Sequence, residues 1–200
     1  MADAALAVRT LEGTEAPAPG LWEIDVPHSN LGFVARYMML TKVRGRFRDF
    51  RGAIHVAERI EDSWAELEID TPTIDTANET RDDHLRSGDF LKIDEFPKLT
   101  FKSTKVELKG APILQVTGDL TIRGVTKPVV LDVEYLGVGK DPWGNSRAMF
   151  SANTEINREE WGVMWNQALE TGGMLVGRNV QLDLEVQAVY KGEDTGQSGS

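Results

Sequence analysis

Three histidines, His28, His55 and His84, are the side chains best suited to move a proton or hold a metal, and they are scattered without ligand spacing. The chain has no cysteine, which excludes disulfides, thiolate metal sites and a cysteine nucleophile, so no metal site is expected. His84 follows Asp82 and Asp83 and could act as a general base, yet no reactive serine or cysteine is visibly paired with it. Gly137-Val138-Gly139-Lys140 has the look of a phosphate loop, but position 134 is Glu and Lys140 is followed by Asp141. Pro142 stands where the third glycine of a dinucleotide fingerprint belongs, so the segment reads as a hairpin turn. Asn78-Glu79-Thr80 fits a glycosylation sequon and reads better as a helix cap. No catalytic residue and no cofactor is therefore expected.

Five cations, Lys42, Arg44, Arg46, Arg48 and Arg51, surround Val43, Gly45, Phe47 and Phe50. On a strand the first four share one face. They serve either as a solvated outer face meeting acidic partners such as Glu66, Glu68 and Asp70, or as a rim for a pyrophosphate or carboxylate head group. The formal net charge of the whole chain is −10, which disfavours attraction to nucleic acid or to an anionic membrane surface.

What must position any site is a β-rich scaffold. The chain has 200 residues, 40% of them hydrophobic, enough for one well-buried domain. Period-two alternation dominates: Leu31, Phe33, Ala35, Tyr37 and Met39 share a face, as do Ala65, Leu67 and Ile69. Leu114, Val116, Gly118, Leu120 and Ile122 form another such face, with Val129, Leu131, Val133 and Tyr135, and Leu182, Leu184, Val186, Ala188 and Tyr190. Turn signals at Lys109-Gly110, Lys127-Pro128 and Asp141-Pro142-Trp143-Gly144 suit antiparallel hairpins. The expected fold is all-β, a single antiparallel β-barrel of about eight strands with one or two short helices. A helix is expected over residues 79–88, capped by Thr76 or Asn78 and stopped by Gly88. Residues 161–170, with Trp161, Met164 and Trp165, suggest either a lid on a barrel mouth or the closed end of its core. Residues 1–20 read as a disordered or loosely docked arm, 21–191 as the barrel and 192–200 as a flexible tail. The start of the chain shows neither a signal peptide nor a membrane helix, so a cytoplasmic location without stable membrane insertion is expected.

Residues 81–90, Arg-Asp-Asp-His-Leu-Arg-Ser-Gly-Asp-Phe, are followed by residues 95–103, Glu-Phe-Pro-Lys-Leu-Thr-Phe-Lys-Ser, and by Gly118-Asp119-Leu120-Thr121-Ile122-Arg123-Gly124-Val125-Thr126-Lys127-Pro128-Val129. With Asp141-Pro142-Trp143-Gly144 and Ile156-Asn157-Arg158, this ordered series resembles the YceI-like family of lipid-binding proteins over residues 22 to about 190. The resemblance implies a lipocalin-like barrel whose apolar pore binds, carries or stores a polyisoprenoid, an isoprenoid quinone or a fatty-acid derivative, and it allows a homodimer. Candidate pore residues are Phe33, Ala35, Tyr37, Met39, Val43, Phe47, Leu67, Ile69, Phe101, Leu120, Leu131 and Phe150, with Trp161, Met164 and Trp165 at the mouth. The same set would serve a solid-core interaction module, and an enzyme acting on a lipid through His84 or Tyr37 is the other alternative. Two departures stand out. Tyr37-Met38-Met39 replaces the relatives' frequent His-x-Gly, and Met149 stands where they tend to have Gly. Parity places Met39 in the pore, where it would narrow the space for a chain.

Overall fold

The computed structural model describes residues 5–170 and 172–192. Its strands in chain order are β1 (Val8–Leu11), β2 (Thr14–Pro17), β3 (Gly20–Ile24), β4 (Asn30–Tyr37), β5 (Thr41–Phe47), β6 (Phe50–Val56) and β7 (Trp64–Asp70). They continue with β8 (Ile74–Asp75), β9 (Lys98–Leu108), β10 (Ile113–Ile122), β11 (Val125–Lys140), β12 (Ser146–Asn157) and β13 (Val176–Gly192). One α-helix, α1 (Glu79–Arg86), lies between β8 and β9.

Kinks at residues 25–29, 48–49 and 71–73 join β3 to β4, β5 to β6 and β7 to β8, so eight continuous paths result. All neighbours are antiparallel, and β12 pairs with β13 to close the ring. On its other side β13 pairs with β4 through Val176 to Glu185 and with β3 through Ala188 to Gly192. The closed eight-strand antiparallel barrel with one helix is the fold the alternation implied, and closure leaves few exposed edges.

The two ends are stoppered differently. At the upper end β1 and β2 form a hairpin whose Ala16 and Pro17 are buried. The Ala7 N–H donates to Ser146 Oγ at 3.0 Å, Arg9 donates to the Ala57 and Glu58 carbonyls, and Trp22 Nε1 donates to the Ala18 carbonyl at 3.0 Å. The expectation of a loose arm is corrected for residues 8–17: small Ala and Pro side chains bury little bulk but cover an apolar opening closely. Residues 1–4 of that arm, and 193–200 of the expected tail, lie outside the described residues. At the lower end α1 and residues 87–97 fill the gap between β8 and β9. Asn78 caps α1 by accepting the Arg81 N–H at 3.0 Å, and Ser87, rather than Gly88, ends it. Arg86 ties the helix to the Pro72 and Ile74 carbonyls at 2.9 and 3.0 Å.

The outer face carries the cations. Arg46 and Arg48 reach Asp75 at 3.6 and 2.8 Å, and Arg51 reaches Glu68 at 2.8 Å. Lys98 takes Glu68 and Asp70. The head-group rim is thus corrected to a solvated face, whose exposed pairs are screened by water and contribute little.

A second network pins the β3–β4 kink to the start of β12. Arg147 donates to Asp25 through Nη1 and to Asp141 through Nε at 2.8 Å, while His28 Nδ1 lies 2.9 Å from Asp25. Asp141 Oδ1 also accepts the Trp143 and Asn145 N–H groups at 2.9 Å each, so Asp141-Pro142-Trp143-Gly144 is an Asx-type turn. Burial alone would raise both carboxyls. Hydrogen bonds from Arg147 and His28 outweigh it at Asp25, and those from Asn145, Arg147 and Trp143 outweigh it at Asp141, holding both below the ordinary range. Groups lowered in this way contribute stability above their unfolded values, about pH 4, and lose it as pH falls through their folded values. The melting temperature should therefore fall steeply below about pH 4, and Arg147→Met should lower it at neutral pH while flattening that acid limb. Parallel melting curves for the two proteins across pH would show that the network carries no linkage.

Candidate binding cavity

Inside the barrel lie two chambers with volumes of about 170 and 220 Å³. A void of roughly 10–15 Å³ admits one water, so neither is a packing defect. The upper chamber, beneath the β1–β2 hairpin, is lined by Ile24, Ile54, Val56, Tyr135, Phe150 and Val186 among others. The lower chamber is lined by Phe33, Ala35, Phe47, Ile69, Leu120 and Ile122 from the strands, and by Leu85, Phe90 and Leu91 from the plug. Leu31, Leu67, Phe101, Leu131 and Leu184 line both and form the waist between them.

Two glycines explain why aromatic rings do not fill this space. Phe33 lies directly opposite Gly45 across the β4–β5 ladder, and a Cβ on Gly45 would come within 2.3 Å of its ring. A Cβ on Gly118 would meet the Phe101 ring at 2.4 Å and the Lys102 carbonyl oxygen at 2.7 Å. Each ring therefore reclines on bare backbone along the wall instead of standing in the bore.

Polar groups are few and unevenly placed. Glu15, Ser63, Glu66 and Tyr135 are among the residues of the upper chamber's wall, with Glu15 and Glu66 exposed to solvent. The Tyr135 hydroxyl is buried without a hydrogen-bond partner, and burial, then the nearby Glu15 charge, pushes its pKa up to about 12. In the lower chamber Arg158 is the one polar side chain among the lining residues. It is 6% exposed. Its Nε donates to the Gly177 carbonyl at 2.9 Å and Nη1 to the Val163 carbonyl at 2.6 Å, while Nη2 has no partner.

The candidate residues divide accordingly. Phe33, Ala35, Phe47, Leu67, Ile69, Phe101, Leu120, Leu131 and Phe150 line the chambers. Val43 pairs with Ala35 on the inward face but lies outside both linings. Tyr37 and Met39 are corrected: β4 ends at Tyr37, and residues 38–40 reverse the chain with left-handed φ of 51° at Met38 and 62° at Met39. Strand parity stops where the turn begins, so Met39 is 56% exposed and does not narrow the bore. Met149, on the other hand, is exposed and faces outward. Trp161 is 2% exposed, donates Nε1–H to the Leu120 carbonyl at 3.0 Å and packs with Leu120, Val129 and Ile156; it closes the core's end and does not face a chamber. Met164 is exposed. Trp165 packs behind the plug against His84 and Phe90, with centroids 4.6 and 5.2 Å apart. His84 itself lies outside both linings, with Nε2 2.8 Å from Asp89 Oδ2. Arg158 was missed because it follows Asn157, the last residue of β12, and so has no parity to read.

Fold and bore together define a hollow antiparallel barrel with an almost wholly apolar interior. Residues 22–188 match the YceI-like domain, and the chain belongs to that family. A UPF0312 protein of Staphylococcus aureus strain N315 is 40% identical over 165 residues, covering 82% of this chain and 94% of the relative. Among solved structures, BcnA of Burkholderia cenocepacia superposes with a TM-score of 0.73 at 22% identity, covering 82% of this chain and 99% of that one. A polyisoprenoid binding domain from Saccharophagus degradans, implicated in plant cell wall breakdown, gives a TM-score of 0.63 at 16% identity over 84% and 98% of the two chains.

Gly118→Ala should force the Phe101 ring off the wall and into the waist, because the Lys102 backbone blocks the other direction. A loss of about 1–3 kcal/mol of stability is expected, with a smaller bore in the variant's crystal structure. An unmoved Phe101 ring would refute the account of how the bore stays open.

Proposed function

We propose that this protein binds and carries a long apolar lipid, a polyisoprenoid, an isoprenoid quinone or a fatty-acid derivative, in the barrel bore without chemistry of its own. The observation that carries this reading is the pair of apolar chambers that share Leu31, Leu67, Phe101, Leu131 and Leu184 in their walls. The description of the Saccharophagus degradans neighbour as a polyisoprenoid binding domain supports it.

The magnitudes suffice. Each methylene removed from water contributes about 0.8 kcal/mol, so ten contribute roughly 8 kcal/mol. Association costs about 4 kcal/mol or more, leaving a favourable balance with hardly any polar contact. A site of this kind discriminates chain length and branching before head-group identity.

Mass spectrometry of lipid extracted from gently purified protein tests the reading, and Leu131→Asp and Phe33→Asp should each remove the lipid, since an ionised carboxylate in the bore is strongly disfavoured. The control is Val130→Asp, one residue from Leu131 and facing solvent, which should load normally. A folded Leu131→Asp protein carrying lipid at the wild-type level would sink the proposal.

A further inference from the structure

Arg158 poses a problem that the apolar chain does not solve. A guanidinium removed from water is costly unless paired, and no carboxylate forms an ion pair with Arg158 among the described residues. The neighbouring Glu159 turns to Arg178 at 3.3 Å. Two backbone carbonyls occupy Nε and Nη1, and Nη2 is left buried and bare beside a chamber with no other polar side chain in its lining. Burial holds the guanidinium below its ordinary pKa, Glu159 opposing and Arg178 adding to the effect.

We infer that the lower chamber receives the head of an anionic lipid, and that the ligand is a long-chain monocarboxylate whose carboxylate oxygen accepts from Arg158 Nη2. This rests on the chain-binding reading above and narrows its ligand class. Three observations fix the choice. One cation in an apolar chamber balances one negative charge, whereas a diphosphate would bring further charge with no second buried cation to meet it. The opposite orientation is disfavoured, because the upper chamber has no cation among its lining residues to meet an anion. A neutral hydroxyl head would fill the hydrogen bond at Nη2 but leave the charge uncompensated. The chain then runs from Arg158 through the waist toward the β1–β2 hairpin.

The test compares chain-matched probes, tetradecanoic acid and 1-tetradecanol, titrated into delipidated protein at pH 7.5 by calorimetry. Wild type should bind the acid about tenfold or more tightly than the alcohol, the range of one charge-assisted hydrogen bond. Arg158→Met should bring the ratio close to one by weakening the acid far more than the alcohol, and Arg158→Lys should keep part of the preference. Because Arg158→Met removes two hydrogen bonds to carbonyls and could unfold, the ¹⁵N resonances of the Arg158 guanidinium in wild type provide a second measurement, which should shift with the acid and much less with the alcohol. Equal wild-type affinities for the two probes, or an acid preference undiminished in folded Arg158→Met, or a guanidinium resonance indifferent to the acid, would overturn the inference while leaving chain binding intact. Failure of wild type to bind either probe would overturn both.

Discussion

The structure depends on the closure made by β13. That strand pairs with β12 in unbroken register from Arg147↔Val189 to Asn157↔Asn179, and on its other edge it holds β4 and β3 in succession. Its inward residues, Leu182, Leu184 and Val186, contribute to the two chambers, and Leu184 stands at the waist. Were this seam open, the bore would become a wetted cleft and the edges of β12 and β3 would be exposed for association with other chains. The Arg147 network and the kink at residues 25–29 serve the same seam, since β3 and β4 must turn together to follow one long partner.

Closure creates a cavity, and the cavity has its own cost. Unfilled volume in a protein interior costs about 24 cal/mol per Å³, on the order of 4–5 kcal/mol for each chamber. A barrel of this size could have been packed solid by its aromatic residues. Gly45 and Gly118 prevent that by giving the Phe33 and Phe101 rings a place against the wall. The unfilled volume and the binding of a chain are thus linked, because a lipid that fills the bore supplies the dispersion contacts the empty protein lacks.

Much of this was legible in the residues, and the failures have physical causes. Strand parity puts Phe33, Leu67, Phe101 and Leu131 on an inward face, and they line the chambers, because one buried face admits a single register. The same rule misplaced Met39, because the turn at residues 38–40 adopts left-handed backbone at two methionines with no glycine or asparagine to announce it. The hairpin of residues 8–17 was read as a loose arm because Ala and Pro carry little hydrophobic signal, although an open apolar end needs only a thin cover. Whether the core is hollow could not be read from parity, since inward residues look alike in both cases; Gly45 and Gly118, small residues inside otherwise regular strands, were the visible trace. Arg158 lay beyond the alternation altogether; it stands in the Ile156-Asn157-Arg158 motif, but burial and the missing partner at Nη2 are what suggest a role for it.

Affinity and orientation come from different parts of such a site. Ten buried methylenes outweigh a single charge-assisted hydrogen bond by several-fold, roughly 8 against 1.5–3 kcal/mol. The walls can therefore exchange one aliphatic residue for another of similar volume with modest effect. A buried cation at one end, with none at the other, contributes less energy but distinguishes the two directions in which a chain can lie. Chain length is set by apolar volume and direction by charge, so a substitution that alters one need not alter the other.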